Sequence, residues 1–322
     1  MHYFEKEEVI SLLDMPGCVG LMRETLRDYS AGRAIQILRS VMSITPRKLM
    51  GLMPAANTAT GIAGAKIITV FPDNFRRGLP SHQGIVLLFD ADTGTLKTLM
   101  DGDAITGIRT AAASAAATDA LARTDAHILC ILGSGLQARL HLESIRLVRD
   151  IREVRVWDVF PESVKRYKEE MEDKYGIPVV DCAHSVQAAV EGADIVCTVT
   201  AAPEPILFGA HLSPGTHINA VGACGAALRE LDTGAVSKGR LFCDSRESCM
   251  NEAGDLLIPI REKALTEDHL LGEIGLVFSG ELDGRTSAED ITIFESQGLA
   301  VEDLAAASYV FNKARAKEDG TP

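Results

Sequence analysis

The first ~35 residues carry apolar side chains at helical spacing, with Val19, Met22, Leu26 and Tyr29 on one face between polar ends, and this predicts helix. Strand-like runs follow at 35–44, 48–53, 62–71 and 83–90, parted by clusters of Gly, Pro and Asp. Residues 95–100 are placed to pair back onto 83–90 through the turn Asp90-Ala-Asp-Thr-Gly94. Asp101-Gly-Asp103 then interrupts the pattern ahead of an alanine-rich helix that runs to about Arg123.

Beyond residue 127 the period changes. Short apolar runs at 128–132, 153–158, 177–181, 194–199, 217–221 and 240–244 alternate with helical stretches, the signature of a doubly wound parallel sheet in an α/β fold. After 245 the pattern is less regular, until a helical segment from Val301 to Ala316. The change of pattern puts a domain boundary near 118, with no flexible linker to mark it.

The sharpest local signal lies at the start of that sheet. Leu132-Gly133-Ser134-Gly135-Leu136-Gln137-Ala138 follows a buried-strand run and opens a helix, matching Gly-x-Gly-x-x-Ala. The first glycine permits the tight turn, the second lets backbone approach a pyrophosphate, and Ala138 is small enough for close helix–strand packing. The helix N-terminus offers N–H groups to phosphate oxygens. The next strand ends in Asp158, placed to accept from adenosine ribose hydroxyls and to repel a 2′-phosphate, which favours NAD over NADP; a turn or cap role is the alternative. Thr198, Thr200, Val221 and Gly222 fall at further strand ends, the edge where such sheets bind ligands.

A chain of 322 residues suggests about two domains. Its net charge of −13 and the lack of any basic stripe argue against a nucleic-acid partner. An anionic substrate would then need local positive charge, which directs attention to cations inside apolar strands. Arg39 is read on one face with Ile37 and Val41, Lys66 shares a face with Ile68 and Val70, and Arg109 sits near a helix start. Such cations must be paired, either with a substrate carboxylate or in an internal salt bridge, and both readings stay open. The seven cysteines form no Cys-x-x-Cys pair, and several lie in apolar runs, as in a cytoplasmic protein with reduced thiols. No metal site is expected. The N-terminus lacks an apolar signal core, and no apolar stretch is long enough for a membrane span.

Several motifs together resemble the ornithine cyclodeaminase/mu-crystallin family over nearly the whole chain. They are Met53-Pro-Ala55, Ser81-His-Gln83, Met100-Asp-Gly102, Arg109-Thr-Ala-Ala112, Gly133-Ser-Gly-Leu-Gln137, Ile218-Asn-Ala-Val-Gly222, Arg229-Glu-Leu-Asp232 and Ala300-Val-Glu-Asp-Leu304. Glu204-Pro-Ile-Leu-Phe-Gly209 and Val86-Leu-Leu-Phe89 look most like the mu-crystallin branch, which includes ketimine reductase. The resemblance implies a homodimer. It also implies a Rossmann domain (119–299) inserted into an α+β substrate-binding and dimerisation domain (1–118 with 300–322). It makes Arg39, Lys66 and Arg109 the carboxylate-binding and catalytic cations. It places Ser81, Arg109, Thr110, Gln137, Asp158, Thr198, Thr200, Gly222 and Ser296 near the cofactor, beside Gly133, Ser134, Gly135, Leu136 and Val221.

Two positions depart from the family pattern. Cyclodeaminases carry an aspartate where this chain has Cys224, and mu-crystallin, which uses NADPH, has no acid where this chain has Asp158. The implied activity is reduction of a C=N bond beside a carboxylate, as in a cyclic ketimine such as 1-pyrroline- or 1-piperideine-2-carboxylate. The alternatives are an alanine or N-substituted amino-acid dehydrogenase, an ornithine cyclodeaminase, and a binding protein that holds cofactor and ligand without turnover.

Overall fold

The computed structural model describes residues 2–46 and 48–319. The chain divides into two units, Met1–Thr110 with Gly298–Pro322, and Ala111–Gln297. The first division falls inside the helix Gly102–Leu121, so no break in secondary structure marks it.

The first unit is built on an antiparallel sheet with a parallel edge. Its strands are β1 (His2–Phe4), β2 (Ala34–Gln36), β3 (Ser40–Thr45), β4 (Lys48–Asn57), β5 (Ile62–Val70), β6 (His82–Asp90) and β7 (Leu96–Asp101). The order is β1-β7-β6-β5-β4-β2, with β3 also on β4, and β1 joins β7 in parallel. The expected return of 95–100 onto 83–90 is the β6–β7 pair. The C-terminal helix, Ala300–Glu318, lies on one face: a side chain at Gly64 would come within 2.8 Å of Leu304.

Two expectations in this unit need correction. The N-terminal segment is a short strand followed by two helices, Lys6–Leu12 and Met15–Ser30. Asp14 ends the apolar periodicity because its side chain accepts from Gly17 N at 2.8 Å and caps the second helix, with Pro16 in the first turn where its missing N–H costs nothing. The run 35–44 is two strands. Gln36 pairs with Ala55 and Ser40 with Leu52, so three residues stand opposite two. That extra residue is a bulge opposite Met53-Pro54, where proline supplies no N–H, and it breaks the alternation that put Arg39 on the face of Ile37.

The second unit holds eight parallel strands: β8 (Ile128–Leu132), β9 (Glu153–Trp157), β10 (Val179–Asp181), β11 (Ile195–Thr198), β12 (His217–Ala220), β13 (Gly239–Cys243), β14 (Leu270–Glu273) and β15 (Ile291–Glu295). The order is β10-β9-β8-β11-β12-β15-β13-β14. The first six strands answer the six apolar runs, while β14 and β15 lie in the stretch read as irregular. Both are short, Leu270–Glu273 and Ile291–Glu295, and are set among turn residues such as Gly280, Asp283, Gly284 and Asp290, so neither stands out as an apolar run. Small side chains allow close packing: Ala111, Ala112, Ala113, Ala115, Ala116 and Ala117 are all buried. So are six of the seven cysteines, and none of the seven is in a disulfide. Among the described residues no helix is long and apolar enough to cross a membrane.

Candidate active site

In the second unit the chain passes from β8 to β9 on one side and from β11 to β12 on the other, so the sheet reverses its strand order between β8 and β11. Crevices at such switch points bind dinucleotides beyond the C-terminal strand ends. Gly133 stands there with φ +118°, and a Cβ would lie 2.9 Å from the Val199 carbonyl oxygen. Only glycine fits both the angle and the gap. Around Gly135, by contrast, an added Cβ would meet open space. Gly135 starts the helix Leu136–Ile145, and no side chain caps its first turn. The start of a helix is where backbone N–H groups meet an anion. Ala138 is fully buried against the sheet, Gln137 is half-buried and Leu136 is exposed.

Of the two roles that the sequence left open for Asp158, the turn role is visible in its contacts. Its carboxylate accepts from Ser134 N at 2.8 Å and Ser134 Oγ at 2.7 Å, and from Phe160 N at 3.1 Å. It therefore braces the glycine turn from the end of β9. A carboxylate accepts about four hydrogen bonds, which leaves room for a ribose hydroxyl. Arg139, the cation that would offset Asp158 toward a 2′-phosphate, is held elsewhere. Its guanidinium donates to Glu170 and to the carbonyls of Ser134 and Gly135.

The same edge gathers Thr198, Thr200, Val221, Gly222 and Ser296. Thr198 is buried at the end of β11, and its carbonyl accepts from Val221 N and Gly222 N at 3.1 and 3.2 Å. Ser296 follows β15, donates its N–H to Ala220 O at 2.9 Å and is buried. Sequence reasoning gave no structural role to the group that ties this edge together. Glu230, fully buried, accepts from Thr200 N (2.7 Å), Thr200 Oγ1 (2.5 Å) and Gly222 N (2.8 Å). Asp255 Oδ1 in turn accepts from the backbone of Glu230 and Leu231. Burial pushes the Asp255 carboxyl up to about 8. Asp232 caps the helix Thr233–Lys238, accepting from Ala235 N and Gly209 N. Cys224 stands at the exposed end of this region, with its Sγ donating to Val221 O at 3.5 Å and to Gln297 O at 3.8 Å.

The first unit carries Ser81, Thr110 and the three singled-out cations. Ser81 Oγ is 3.0 Å from His82 Nδ1, and Thr110 is buried in the helix that also carries Arg109. Lys66 points from β5 toward the C-terminal helix. Its Nζ lies 2.7 Å from Asp303 Oδ2 and donates to Thr106 Oγ1 at 3.3 Å. Arg109 is clamped by the same helix, Nη1 to Glu302 Oε2 at 2.6 Å and Nε to Asp303 Oδ1 at 2.8 Å. Arg39 Nη2, half-buried, donates to the Gly298 carbonyl at 3.4 Å. Gly298 has φ +75°, and a Cβ there would lie 2.9 and 3.0 Å from the two Arg109 Nη atoms.

The internal ion pair is thus present for Lys66 and Arg109, supplied by two acids that the sequence reading left without a role. Glu302 and Asp303 had one legible sign, adjacent carboxylates in the first turn of an otherwise alanine-rich helix. Lys66, Arg109 and Arg39 thus converge on the start of the C-terminal helix. Burial draws the Lys66 ammonium down to about 8, against the opposing pull of Asp303 and with the Arg109 and Arg39 charges adding to the fall. Burial also raises Glu302, against Arg109. A lysine poised in that range exchanges a proton near neutral pH.

A parallel sheet with a glycine turn at its switch point, in a chain that also buries lysine and arginine against paired acids, defines an α/β protein of the dinucleotide-binding class. This chain belongs to the ornithine cyclodeaminase/mu-crystallin family, whose model matches residues 3–318. It is 38% identical to the ketimine reductase mu-crystallin of Mus musculus over 295 residues, 90% of each chain. Its fold is similar to that of the Delta(1)-pyrroline-2-carboxylate reductase of Thermococcus litoralis in complex with NADH and L-proline, with TM-score 0.94, 35% identity, and 99% and 98% of the two chains covered. It is also similar to an archaeal alanine dehydrogenase dimer with bound NAD, with TM-score 0.93, 32% identity, and 98% and 96% covered. The family expected from the motifs is the one found.

Proposed function

We propose that the protein is an NAD(P)H-dependent oxidoreductase that reduces a small cyclic imino acid at the C=N bond beside its carboxylate. The observation that carries this reading is the cation cluster in which Lys66, Arg109 and Arg39 gather at the start of the C-terminal helix, against Asp303, Glu302 and the Gly298 carbonyl. The substrate carboxylate is drawn to these cations. Arg39 and Arg109 hold it, and the planar fork of each guanidinium favours a bidentate grip. Lys66 gives its proton to the imine nitrogen, which its lowered pKa makes easier at neutral pH. When bound, the reduced nicotinamide supplies the hydride that turns C=N into CH–NH.

The residues of the second unit suit such a cofactor. The uncapped helix start at Gly135, with Gly133, Ser134 and Gln137, receives the pyrophosphate; Asp158 receives the adenosine ribose, which favours NADH. Thr198, Thr200, Val221, Gly222 and Ser296 border the nicotinamide half, and Ser81 and Thr110 complete the set. In this reading Ala111–Gln297 is the cofactor domain, and Met1–Thr110 with Gly298–Pro322 is the substrate and dimerisation domain.

The protein acts as a homodimer in the cytoplasm. The dimer rests on the apolar surface around β2 and β3 of the first unit, where Ile35, Ile37, Val41, Met42, Ile44 and Leu52 are between 44% and 61% exposed. Apolar patches of this kind mark interfaces, and the similar archaeal alanine dehydrogenase is a dimer.

The likeness to that alanine dehydrogenase also favours a second reading, oxidation of a small amino acid. A panel of cyclic imino acids, 2-oxo acids with ammonia, and amino acids, followed by NADH and NADPH absorbance, separates the two. Fast oxidation of NADH with 1-pyrroline- or 1-piperideine-2-carboxylate is the expected result. Turnover with pyruvate and ammonia alone would replace it with the second reading. Cofactor binding with silence across the panel would leave a binding protein.

A further inference from the structure

The loops that follow β11 and β12 are held in register by a single buried carboxylate. Glu230 spans them: Oε1 takes both the amide and the hydroxyl of Thr200, and Oε2 takes the amide of Gly222. Its own place is fixed from three sides. Asp255 accepts its N–H, its carbonyl accepts from Ile206 N and Leu207 N at 2.8 and 2.9 Å, and the side chain has no exposure to solvent. A second observation points the same way. A Cβ at Gly222 would lie 2.2 Å from the Thr200 carbonyl oxygen and 2.6 Å from Glu230 Oε2, so the two loops and the carboxylate are packed without slack.

The position of this brace in the sheet gives it a direction of action. The glycine turn and Asp158 follow β8 and β9, on one side of the switch point, where pyrophosphate and adenosine are received. Thr200 and Gly222 follow β11 and β12, on the other side, and no hydrogen bond from Glu230 reaches the glycine turn among the described residues. We propose that Glu230 is a positioning residue for the nicotinamide half of the cofactor site, acting through Thr200 and Gly222 and leaving the adenosine half untouched. This rests on the dinucleotide reading above.

The physical basis is polarity matching. All three groups that meet the Glu230 carboxylate are donors. Replacing one oxygen by an amide nitrogen sets a donor against a donor at a fully buried position, so one of the two loops must move. A shift of either loop alters the surface offered to the nicotinamide ribose and ring, while an ADP moiety seated on the glycine turn is not displaced.

The test is to compare NADH and ADP binding, by fluorescence titration and calorimetry, in the full-length protein and in Glu230→Gln. NADH affinity should fall about tenfold or more, the loss of one charge-assisted hydrogen bond, with ADP affinity unchanged. Unchanged affinity for both, or an equal loss for both, overturns the proposal, because the first denies any effect and the second is general loss of structure. Should Glu230→Gln fail to fold, Thr200→Val and Thr200→Ser decide. Valine, which lacks the hydroxyl donor, should weaken NADH and spare ADP, and serine should restore NADH binding; equal behaviour of valine and serine overturns the proposal. Wild-type protein that binds neither ligand would instead overturn the dinucleotide reading itself.

Discussion

Asp303 Oδ2 lies 2.7 Å from Lys66 Nζ, with the two side chains 0% and 3% exposed. The carboxylate holds the lysine proton on, while burial and the neighbouring guanidinium groups drive it off, and the balance leaves Lys66 at about 8. Protonated Lys66 therefore declines as pH rises through about 8. If it is the proton donor, kcat/KM for imine reduction falls over that range and amine oxidation rises. Asp303→Asn removes the charge that favours the protonated form, so the fall should move to lower pH. Superimposable pH profiles for wild type and Asp303→Asn would remove Lys66 from the proton-transfer role.

Two of the cations and one of the acids should separate in their effects. Lys66→Met should abolish turnover yet fold, because Arg109 Nε still pairs with Asp303. Arg39→Ala should chiefly raise the substrate KM, lowering kcat/KM about tenfold or more for the loss of a charge-assisted contact of ~1.5–3 kcal/mol. Glu302→Ala should instead be costly to stability, about 3–5 kcal/mol, since it leaves the buried Arg109 half-paired. Steady-state kinetics and urea unfolding of the three variants check the pattern; normal turnover in both Lys66→Met and Arg39→Ala would make those residues purely structural.

Asp158 should set cofactor choice. NADH should give the higher kcat/KM, and Asp158→Ser should narrow the gap by improving NADPH use. The substitution also takes away the acceptor for Ser134 N and Oγ, so it should weaken NADH as well. Arg139 offers little help to a 2′-phosphate while Glu170 and the turn carbonyls hold it. Equal kcat/KM with both cofactors in the unmodified protein would defeat this prediction.

A charge placed on the apolar surface of the first unit should dissociate the dimer. Leu52 and Met42 are exposed in the single chain, and burying an unpaired aspartate at either position would be unfavourable. Light scattering should find Leu52→Asp at half the wild-type mass. A wild type that is already monomeric, or a Leu52→Asp protein that stays dimeric, would place the interface elsewhere or nowhere.

Ornithine should be a poor substrate for cyclisation. Attack by its side-chain amine needs a base, and the family's cyclodeaminases carry an aspartate where this chain has Cys224. The other acids nearby are spent: Glu230 meets three donors and Asp232 caps a helix. Incubation with ornithine and catalytic NAD should yield little proline or ammonia beside the rate of imine reduction. Comparable rates would mean that some other group does the work of the missing acid.

The parts of this molecule that were legible in the sequence are those governed by local rules. The run 128–132, the glycine turn and Asp158 follow from strand period and turn chemistry, and the structure keeps them in place. Lys66 and Arg109 stood out because charge among apolar neighbours is conspicuous. Their partners did not, because Glu302 and Asp303 are adjacent acids at a helix start, where solvated acids are also common. Glu230 was hidden for another reason: its three donors lie 8 and 30 residues away in the chain. The bulge beside Arg39 was invisible because it depends on the register of two strands with the same partner, which neither strand's own pattern specifies.

The clamp on Lys66 and Arg109 also has a consequence for biogenesis. Arg109 is 193 residues from Glu302 and 194 from Asp303 in the chain. During synthesis both cations therefore emerge long before the carboxylates that neutralise them. Between them comes the whole of Ala111–Gln297, a contiguous stretch that holds its entire parallel sheet. Domains usually fold as they appear, N-terminal first. Here the later-made segment can mature while the earlier one waits, its lysine and arginine still hydrated, until the last helix arrives and permits them to be enclosed.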